Sequence, residues 1–197
     1  FVAHRYKSQI RGVDLTNDYI ETGKALCQWV DLAGQVTLEQ GSATALPFAD
    51  ASFDKAYMMH VGMNIADKQL LATEVHRVLK PGATFGIYDV MRTGEGDLVF
   101  PVPWASTAEG SVVATPAVYK EALETAGFHI TAERNRREFA LEFFANLLAS
   151  NVAASGPPPL GIHLLMGGST PVKAKNVLTN IENGRIAPVE LIATKSS

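Results

Sequence analysis

The chain has 197 residues, of which 47% are hydrophobic and 19% charged, and this size and composition fit a single domain with a sizeable core. The net charge of −3 argues against a nucleic-acid partner, because such a protein normally needs a basic surface. No apolar stretch approaches the roughly 20 residues that a bilayer-crossing helix requires, so we predict no membrane partner.

Strand-like and helix-like segments alternate along the chain, which predicts an α/β fold with a mostly parallel sheet and helices on its faces. Apolar runs and alternation predict strands at residues 8–15, 36–40, 53–61, 84–90, 128–134 and 186–194. Helical patterns, or the tail of a helix, occur at residues 1–6, 17–33, 67–79, 115–126, 137–151 and 170–184. The strand at 53–61 is almost continuously apolar, as expected for burial on both faces of the sheet.

Capping and breaking residues mark the helix ends. Thr16 or Asn17 is expected to begin the second helix and Gly34 to end it. Asp67 is the predicted N-cap of the third helix, which Lys80-Pro81-Gly82 should terminate. The predicted apolar face of the second helix comprises Tyr19, Ile20, Ala25, Leu26, Trp29 and Val30.

Two segments look specialised within this single domain, which spans residues 1–197. Residues 92–114 are rich in Gly, Pro and Ser and carry Trp104, which predicts a functional loop with Trp104 as a lid or as a core plug. Residues 137–185 form a predicted helical elaboration on the substrate side, broken at Gly156-Pro157-Pro158-Pro159. Residues 156–168 would then influence substrate choice.

Ligands of open α/β sheets bind beyond the carboxyl ends of the strands. Asp14 lies at such an end, where a carboxylate can accept hydrogen bonds from both hydroxyls of a ribose. The other ends carry residues 41–43, 59–64 and 89–92, which add a small-residue turn, thioethers and polar side chains. This combination suits a ligand that contains adenosine.

Four sequence blocks carry a family resemblance: G-V-D-L at 12–15, G-S-A-T-A-L-P-F-A-D-A-S-F-D at 41–54, E-V-H-R-V-L-K-P-G at 74–82 and F-G-I-Y-D at 85–89. With these blocks the chain resembles the class I S-adenosylmethionine-dependent methyltransferases of small molecules, including the sarcosine/dimethylglycine and ubiquinone-biosynthesis enzymes. The resemblance covers about residues 2–139. It implies a Rossmann-like sheet, S-adenosylmethionine as cofactor, and methyl transfer to a small-molecule N, O or C nucleophile.

The resemblance also implies individual roles. Asp14 would hold the cofactor ribose, Leu15 would contact the adenine, and Ser42 and Ala43 would line the adenine edge, although the family usually has Asp where Ser42 stands. Met59 would face the methionine part of the cofactor. His60 would face the substrate and accept its proton. The substrate-side candidates are Asn64, Asp89, Arg92 and Trp104.

One part of the family pattern has no counterpart in the chain. The first strand and its glycine-rich loop, which belong at the middle of the sheet, would precede Phe1. We therefore expect a slot between two neighbouring strands, with two unpaired edges that a second copy of the chain could cover. Cofactor binding should be badly weakened, and we interpret the chain as the carboxyl-terminal part of a methyltransferase.

Other interpretations stay open at this point. Asp14 also suits a helix cap, Ser42 a simple turn, and His60 a packed or solvated position. Asp89 and Arg92 could merely solvate a loop. The chain could instead be a nicotinamide-dependent oxidoreductase, which places an acid at the same strand end, or a non-catalytic fragment. No histidine shows metal-ligand spacing, and Cys27, the only cysteine, packs as a small apolar residue and suits the cytoplasm.

Overall fold

The computed structural model describes residues 1–153 and 160–196. The strands are β1 Ile10–Asp14, β2 Val36–Gln40, β3 Phe53–Met59, β4 Leu79–Arg92, β5 Phe128–Asn135 and β6 Ile186–Lys195. The α-helices are α1 Val2–Tyr6, α2 Asn17–Trp29, α3 Lys68–Val78, α4 Pro116–Thr125, α5 Arg137–Ala153, α6 His163–Met166 and α7 Thr170–Glu182. The predicted α/β alternation is therefore confirmed, while the predicted break at residues 156–159 lies outside the described residues.

The strands form two sheets. In the smaller sheet β1 runs parallel to β2, from the pair Ile10 and Val36 to the pair Asp14 and Gln40. The larger sheet has the order β3-β4-β6-β5, in which β3 and β4 are parallel and β6 is antiparallel to both of its neighbours. The carboxyl ends of β1 and β2 are therefore neighbours, as are those of β3 and β4.

A cavity of about 620 Å³ separates the two sheets. Its walls include residues 10–13 of β1 and residues 55–59 of β3, together with apolar side chains of α2 and α3. Among the described strands, β1 pairs only with β2, and β3 pairs only with β4, so each has an edge without a strand partner. The predicted slot and its two open edges are both confirmed.

The hydrophobic core lies around the larger sheet. Leu79 and Met91 of β4 and Leu191 of β6 are fully buried, and α3 and α4 pack against these strands. The predicted N-cap Asp67 is confirmed, because its Oδ1 accepts a hydrogen bond from the backbone N–H of Leu70 (2.8 Å). No helix in residues 1–153 or 160–196 combines the length and apolar character needed to cross a membrane.

Two expectations about burial are wrong, and the slot explains both. Of the apolar face predicted for α2, only Ile20 is buried, and Trp29 is 80% exposed. Strand β3 was expected to be buried on both faces, yet Tyr57 and Met59 are each 57% exposed. The two-stranded sheet beneath α2 offers little apolar surface, and β3 borders an open cavity, so these side chains lack packing partners.

Two predicted helix ends also differ in detail. Helix α2 ends at Trp29 rather than near Gly34, because the backbone N–H of Leu32 bonds to the carbonyl of Cys27 (2.8 Å) and Asp31 takes a left-handed conformation (φ 56°). Lys80-Pro81-Gly82 follows the end of α3 but already belongs to β4. The chain leaves its helix there through an irregularity in the β3–β4 register.

Candidate functional site

The ends of β1 and β2 form one edge of the candidate site. The backbone N–H of Gly41 donates to the carbonyl of Asp14 (2.9 Å), and the Gln40 side-chain amide donates to the carbonyl of Leu15 (2.9 Å). The predicted ribose acceptor and the predicted adenine-side turn are therefore direct neighbours. Ala43, in the same turn, lines the cavity between the sheets.

Asp14 is half-buried, and its Oδ1 accepts a hydrogen bond from the backbone N–H of Thr16 (2.8 Å). Thr16 is the N-cap residue of α2 and makes no capping bond through its own side chain. The Asp14 carboxylate thus supports the start of the helix without being its N-cap. Leu15 beside it is exposed, so its side chain is accessible to a ligand.

The turn after β2 is held by bonds of its own. The hydroxyls of Ser42 and Thr44 lie 2.7 Å apart, and the Thr44 N–H donates to Ser42 Oγ (3.2 Å). Ala43 packs against the main core. Ser42 therefore has the simple turn role that the sequence also allowed.

A network of partly buried hydrogen bonds holds the rest of this turn. Glu74 Oε2 accepts from the Leu46 N–H (2.9 Å) and from the Arg77 guanidinium (2.9 Å). Arg77 also donates to the carbonyls of Leu46 (3.0 Å) and Phe48 (2.7 Å). The Arg77 hydrogen bond lowers the pKa of Glu74, so this carboxyl is ionised at neutral pH. This network joins two of the four sequence blocks, at 41–54 and 74–82.

The opposite edge of the site is the end of β3. Met59 is largely exposed and lines the cavity. His60 has a left-handed backbone (φ 53°), donates its N–H to the carbonyl of Tyr88 (2.8 Å), and places its ring 5.1 Å from the Tyr88 ring in an edge-to-face contact. Desolvation lowers the pKa of His60, and the charge of Asp89 opposes this shift, so the neutral imidazole dominates at neutral pH.

The four substrate-side candidates occupy different surroundings. Asn64 is exposed at the end of the 3-10 turn Gly62–Asn64. Asp89 is fully buried, where burial raises its pKa, and it accepts hydrogen bonds from Tyr119 (2.7 Å) and from the Val90 N–H (3.0 Å). The Arg92 guanidinium donates to the carbonyls of Gly94 and Gly96 in its own loop. Of the four, Asn64 has the most accessible side chain.

The long loop is held by hydrogen bonds to helix α7. The Trp104 Nε1 donates to Ser111 Oγ (3.0 Å), and its half-buried ring packs against a second core cluster. Asn180 of α7 accepts from the Val99 N–H (2.9 Å) and donates to the Val99 carbonyl (3.0 Å). Trp104 is therefore packed as a core plug would be, yet it stays partly accessible as a lid would be.

The sequence analysis did not single out two residues that interact with the buried Asp89, namely Lys68 and Tyr119. Tyr119 falls within the predicted helix at residues 115–126, where its spacing suits an apolar face. Lys68 carried a usable signal, because a cation at the first position of α3 lies near the positive pole of the helix dipole. In the described parts of the chain, no three His, Cys, Asp or Glu side chains are grouped so that they could hold a metal ion.

Comparisons with known proteins show what the amino-terminal part of the chain is similar to. Residues 1–87 match the model of a methyltransferase domain. The O-methyltransferase resE of Aspergillus sclerotiorum is 36% identical over 89 residues, which make up 45% of this chain and 34% of that protein. Residues 1–87 are therefore similar to the methyltransferase domain family. The matches favour this family over the nicotinamide oxidoreductases considered from the sequence.

Solved structures share the fold of this chain. A Galdieria sulphuraria protein assigned as a sarcosine dimethylglycine methyltransferase has a TM-score of 0.80 at 15% identity, covering 100% of this chain and 73% of that one. The (4+2)-cyclase SpnF has a TM-score of 0.72 at 23% identity, covering 99% of this chain and 70% of that one. Identities this low show the fold alone, and the second structure is named for a different reaction. The matched segment spans about a third of the Aspergillus relative.

Proposed function

We propose that this protein transfers a methyl group from S-adenosylmethionine to an N, O or C nucleophile of a small molecule. The observation that carries the proposal is the direct contact between the Asp14 strand end and the turn at residues 41–43, with Met59 across the cavity and His60 next to it in the chain. This geometry offers an acceptor for a ribose next to a small-residue turn for a purine. Methyltransferase relatives of the amino-terminal half support the same activity.

The residues present fit the nucleoside half of the cofactor. Asp14 is half-buried at the strand end, where it would accept hydrogen bonds from the ribose hydroxyls. Leu15 would cover one face of the adenine, and Ser42 and Ala43 would border its edge. Met59 would contact the methionine chain. Donors for the methionine carboxylate belong where the cavity now lies, so we propose that tight binding needs a strand in the slot between β1 and β3.

The cofactor supplies an activated sulfonium methyl, so the protein mainly has to align the acceptor with it. Such positioning can contribute about 7–11 kcal/mol to lowering a barrier. His60, whose lowered pKa keeps its imidazole neutral, would accept the proton of an acceptor that carries one. Asn64 and Trp104 would contact the acceptor. Asp89, which is fully buried, would act through its charge on His60. Arg92 would hold its own loop through the carbonyls of Gly94 and Gly96.

We further propose that residues 137–185 form the acceptor side of the domain. Helix α5 leaves Phe139 and Phe143 exposed, and residues around α6 leave Leu164 and Leu165 exposed. An acceptor with an apolar portion would suit these side chains. The contribution of residues 156–159 to substrate choice stays a prediction, since they lie outside the described residues. A cytoplasmic location, in line with the single thiol at Cys27, is also a proposal.

Amide NMR of the isotope-labelled chain tests the cofactor site even if binding is weak. Millimolar S-adenosylhomocysteine should shift the amide signals of Asp14, Leu15, Ser42 and Ala43, and NADH should shift them less. Asp14→Asn should abolish the shifts, whereas Asp18→Asn, which changes an exposed acid in the first turn of α2, should retain them. Shifts only with NADH, or none with either ligand at these residues, would overturn the proposal.

The slot is tested with a synthetic peptide. An extended, mainly apolar peptide of about seven residues, the length of a typical strand, should protect the β1 and β3 amides from hydrogen exchange and tighten S-adenosylhomocysteine binding. A scrambled peptide with charges at alternate positions is the control. Protection that depends on protein concentration without any peptide would instead indicate that a second copy of the chain covers the slot.

A further inference from the structure

Three polar side chains meet in the interior behind the candidate acceptor side. Asp89 of β4 is 0% exposed, Tyr119 of α4 is 2% exposed, and Lys68 of α3 is 5% exposed. Buried charges are costly unless they are paired and hydrogen-bonded. We call these three residues the Lys68–Asp89–Tyr119 cluster.

The members of the cluster satisfy one another and the nearby backbone. The Tyr119 hydroxyl donates to Asp89 Oδ2 (2.7 Å), and the Lys68 Nζ lies 5.3 Å from the centroid of the Tyr119 ring. Lys68 Nζ also donates to the carbonyl of Ile65 and to that of Val112 (3.2 Å). The cluster thus reaches two backbone segments outside its own elements.

The first of these segments is the turn after β3, residues 60–67. A Cβ atom on Gly62 would lie 2.3 Å from Asp89 Oδ2 and 2.5 Å from the Tyr119 hydroxyl, so the turn rests directly on this pair. Two residues earlier, His60 has a left-handed backbone, which is costly for a residue with a side chain. Contacts on the following turn would help to hold His60 in that conformation.

The second segment is the long loop, at Val112. Its carbonyl accepts from Lys68, and its N–H donates to the carbonyl of Met63 (3.2 Å) in the turn after β3. Both sides of the Val112 peptide backbone are thus used to join the two segments. The Lys68 side chain contacts both segments, through the carbonyls of Ile65 and Val112.

Packing alone does not explain a lysine in this place. The first position of α3 lies near the positive helix pole, and an apolar residue of similar length would fill the space without a desolvation cost. An apolar side chain, however, could not donate to the two carbonyls. The polar atoms of Lys68 therefore matter more than its volume.

We propose that Lys68, Asp89 and Tyr119 are positioning residues that hold the His60 turn against the long loop and so shape the acceptor side of the site. This inference rests on the function proposed above. None of the three is proposed to touch the reacting atoms. They act through His60, Gly62 and the backbone of Val112.

The test uses Tyr119→Phe and Asp89→Asn, with Tyr19→Phe on the exposed face of α2 as the control. NMR titration follows the His60 imidazole, and the other histidines serve as internal references. The groups on β4 that face His60 are the Tyr88 ring and the Asp89 carboxylate. Asp89→Asn removes the charge that raises the His60 pKa, so this pKa should fall. Tyr119→Phe keeps the Asp89 carboxyl in place, so a changed His60 titration in this variant would report movement of the His60 turn.

Hydrogen exchange of the Val112 amide gives an independent readout. Tyr119→Phe and Lys68→Met should accelerate its exchange by at least about tenfold, as expected when a local contact opens, and Lys68→Arg should restore most of the protection. Unchanged His60 titration and unchanged Val112 exchange in the folded variants would overturn the proposal. So would rapid Val112 exchange in the unmodified chain, a measurement that needs no variant.

The outcome is separable from that of the proposed function. If S-adenosylhomocysteine does not shift the amide signals of Asp14 and Ser42 in the unmodified chain, the proposed cofactor site is overturned, whatever the exchange rate of the Val112 amide. Loss of Val112 protection with intact cofactor shifts at Asp14 is the result expected of a positioning cluster on the acceptor side.

Discussion

Arg77 joins the carboxylate of Glu74 to the turn that follows β2. Its guanidinium donates to Glu74 Oε1 and Oε2 (both 2.9 Å) while it also donates to the backbone carbonyls of Leu46 and Phe48. Helix α3, which packs against the larger sheet, thereby holds the loop that follows β2 of the smaller sheet. These hydrogen bonds therefore link the two sheets without strand pairing across the open slot between β1 and β3.

Glu74→Ala should therefore destabilise the protein by about 1–3 kcal/mol, because the Leu46 N–H and the Arg77 guanidinium both lose a charged acceptor. Urea unfolding measures the change in the free energy of unfolding. Glu21→Ala, which removes an exposed acid paired with Lys24, is the matched control and should cost less than about 0.5 kcal/mol. Equal effects of the two substitutions would contradict the role assigned to Glu74.

The same carboxyl should contribute to acid sensitivity. Because the pKa of Glu74 is lower in the folded protein than in the unfolded chain, its stabilising effect is complete above the unfolded value of about 4.3. It is lost as the pH falls through the lower folded value. The stability difference between the unmodified chain and Glu74→Gln should therefore shrink on acidification below pH of about 4.3, and a constant difference down to the acid transition would count against it.

Gly62→Ala should destabilise the protein by about 1–3 kcal/mol, because the added methyl group has no room beside Asp89 and Tyr119. Gly34→Ala is the matched control. No atom lies within 4 Å of a Cβ built on Gly34, so this change should be neutral or slightly stabilising. Thermal unfolding of both variants measures the contrast, and a harmless Gly62→Ala would mean that the turn can shift away from the cluster.

Asn180→Ala should loosen the long loop and destabilise the fold by about 1–3 kcal/mol, because both polar groups of the Val99 backbone lose their partner. Asn180 is fully buried, whereas Lys175 on the same helix is exposed, so Lys175→Ala is the control. Limited proteolysis within residues 93–114 should become faster in Asn180→Ala only. Similar cleavage in both variants would argue that α7 does not restrain the loop.

The two sheets should differ in local stability. A two-stranded sheet is marginal by itself, and β1–β2 has few buried residues, whereas β4 and β6 form the core. Native-state hydrogen exchange should therefore show earlier opening of residues 10–14 and 36–40 than of residues 84–92 and 186–194. If all four strands opened together with global unfolding, the slot would not be a boundary between cooperative units.

The sequence by itself determined the order and type of the six described strands and of the described α-helices other than α6. Apolar periodicity marked the six strands, Asp67 capped α3 as expected, and parallel pairing of β1 and β2 placed Asp14 beside residues 41–43. The open slot in the sheet was also predictable, since the first strand of the family pattern is not among residues 1–197. These features depend on local spacing and on strand order, which a sequence carries directly.

Only the tertiary structure decided which side chains are buried and which polar groups meet. The expected apolar face of α2 is mostly exposed, because the slot removes the surface it would cover. Lys68, Asp89 and Tyr119 come from three separate elements, so their spacing along the chain gives no sign that they share one cluster. Burial and charge pairing depend on how α3, β4 and α4 pack, and that packing exists only in three dimensions.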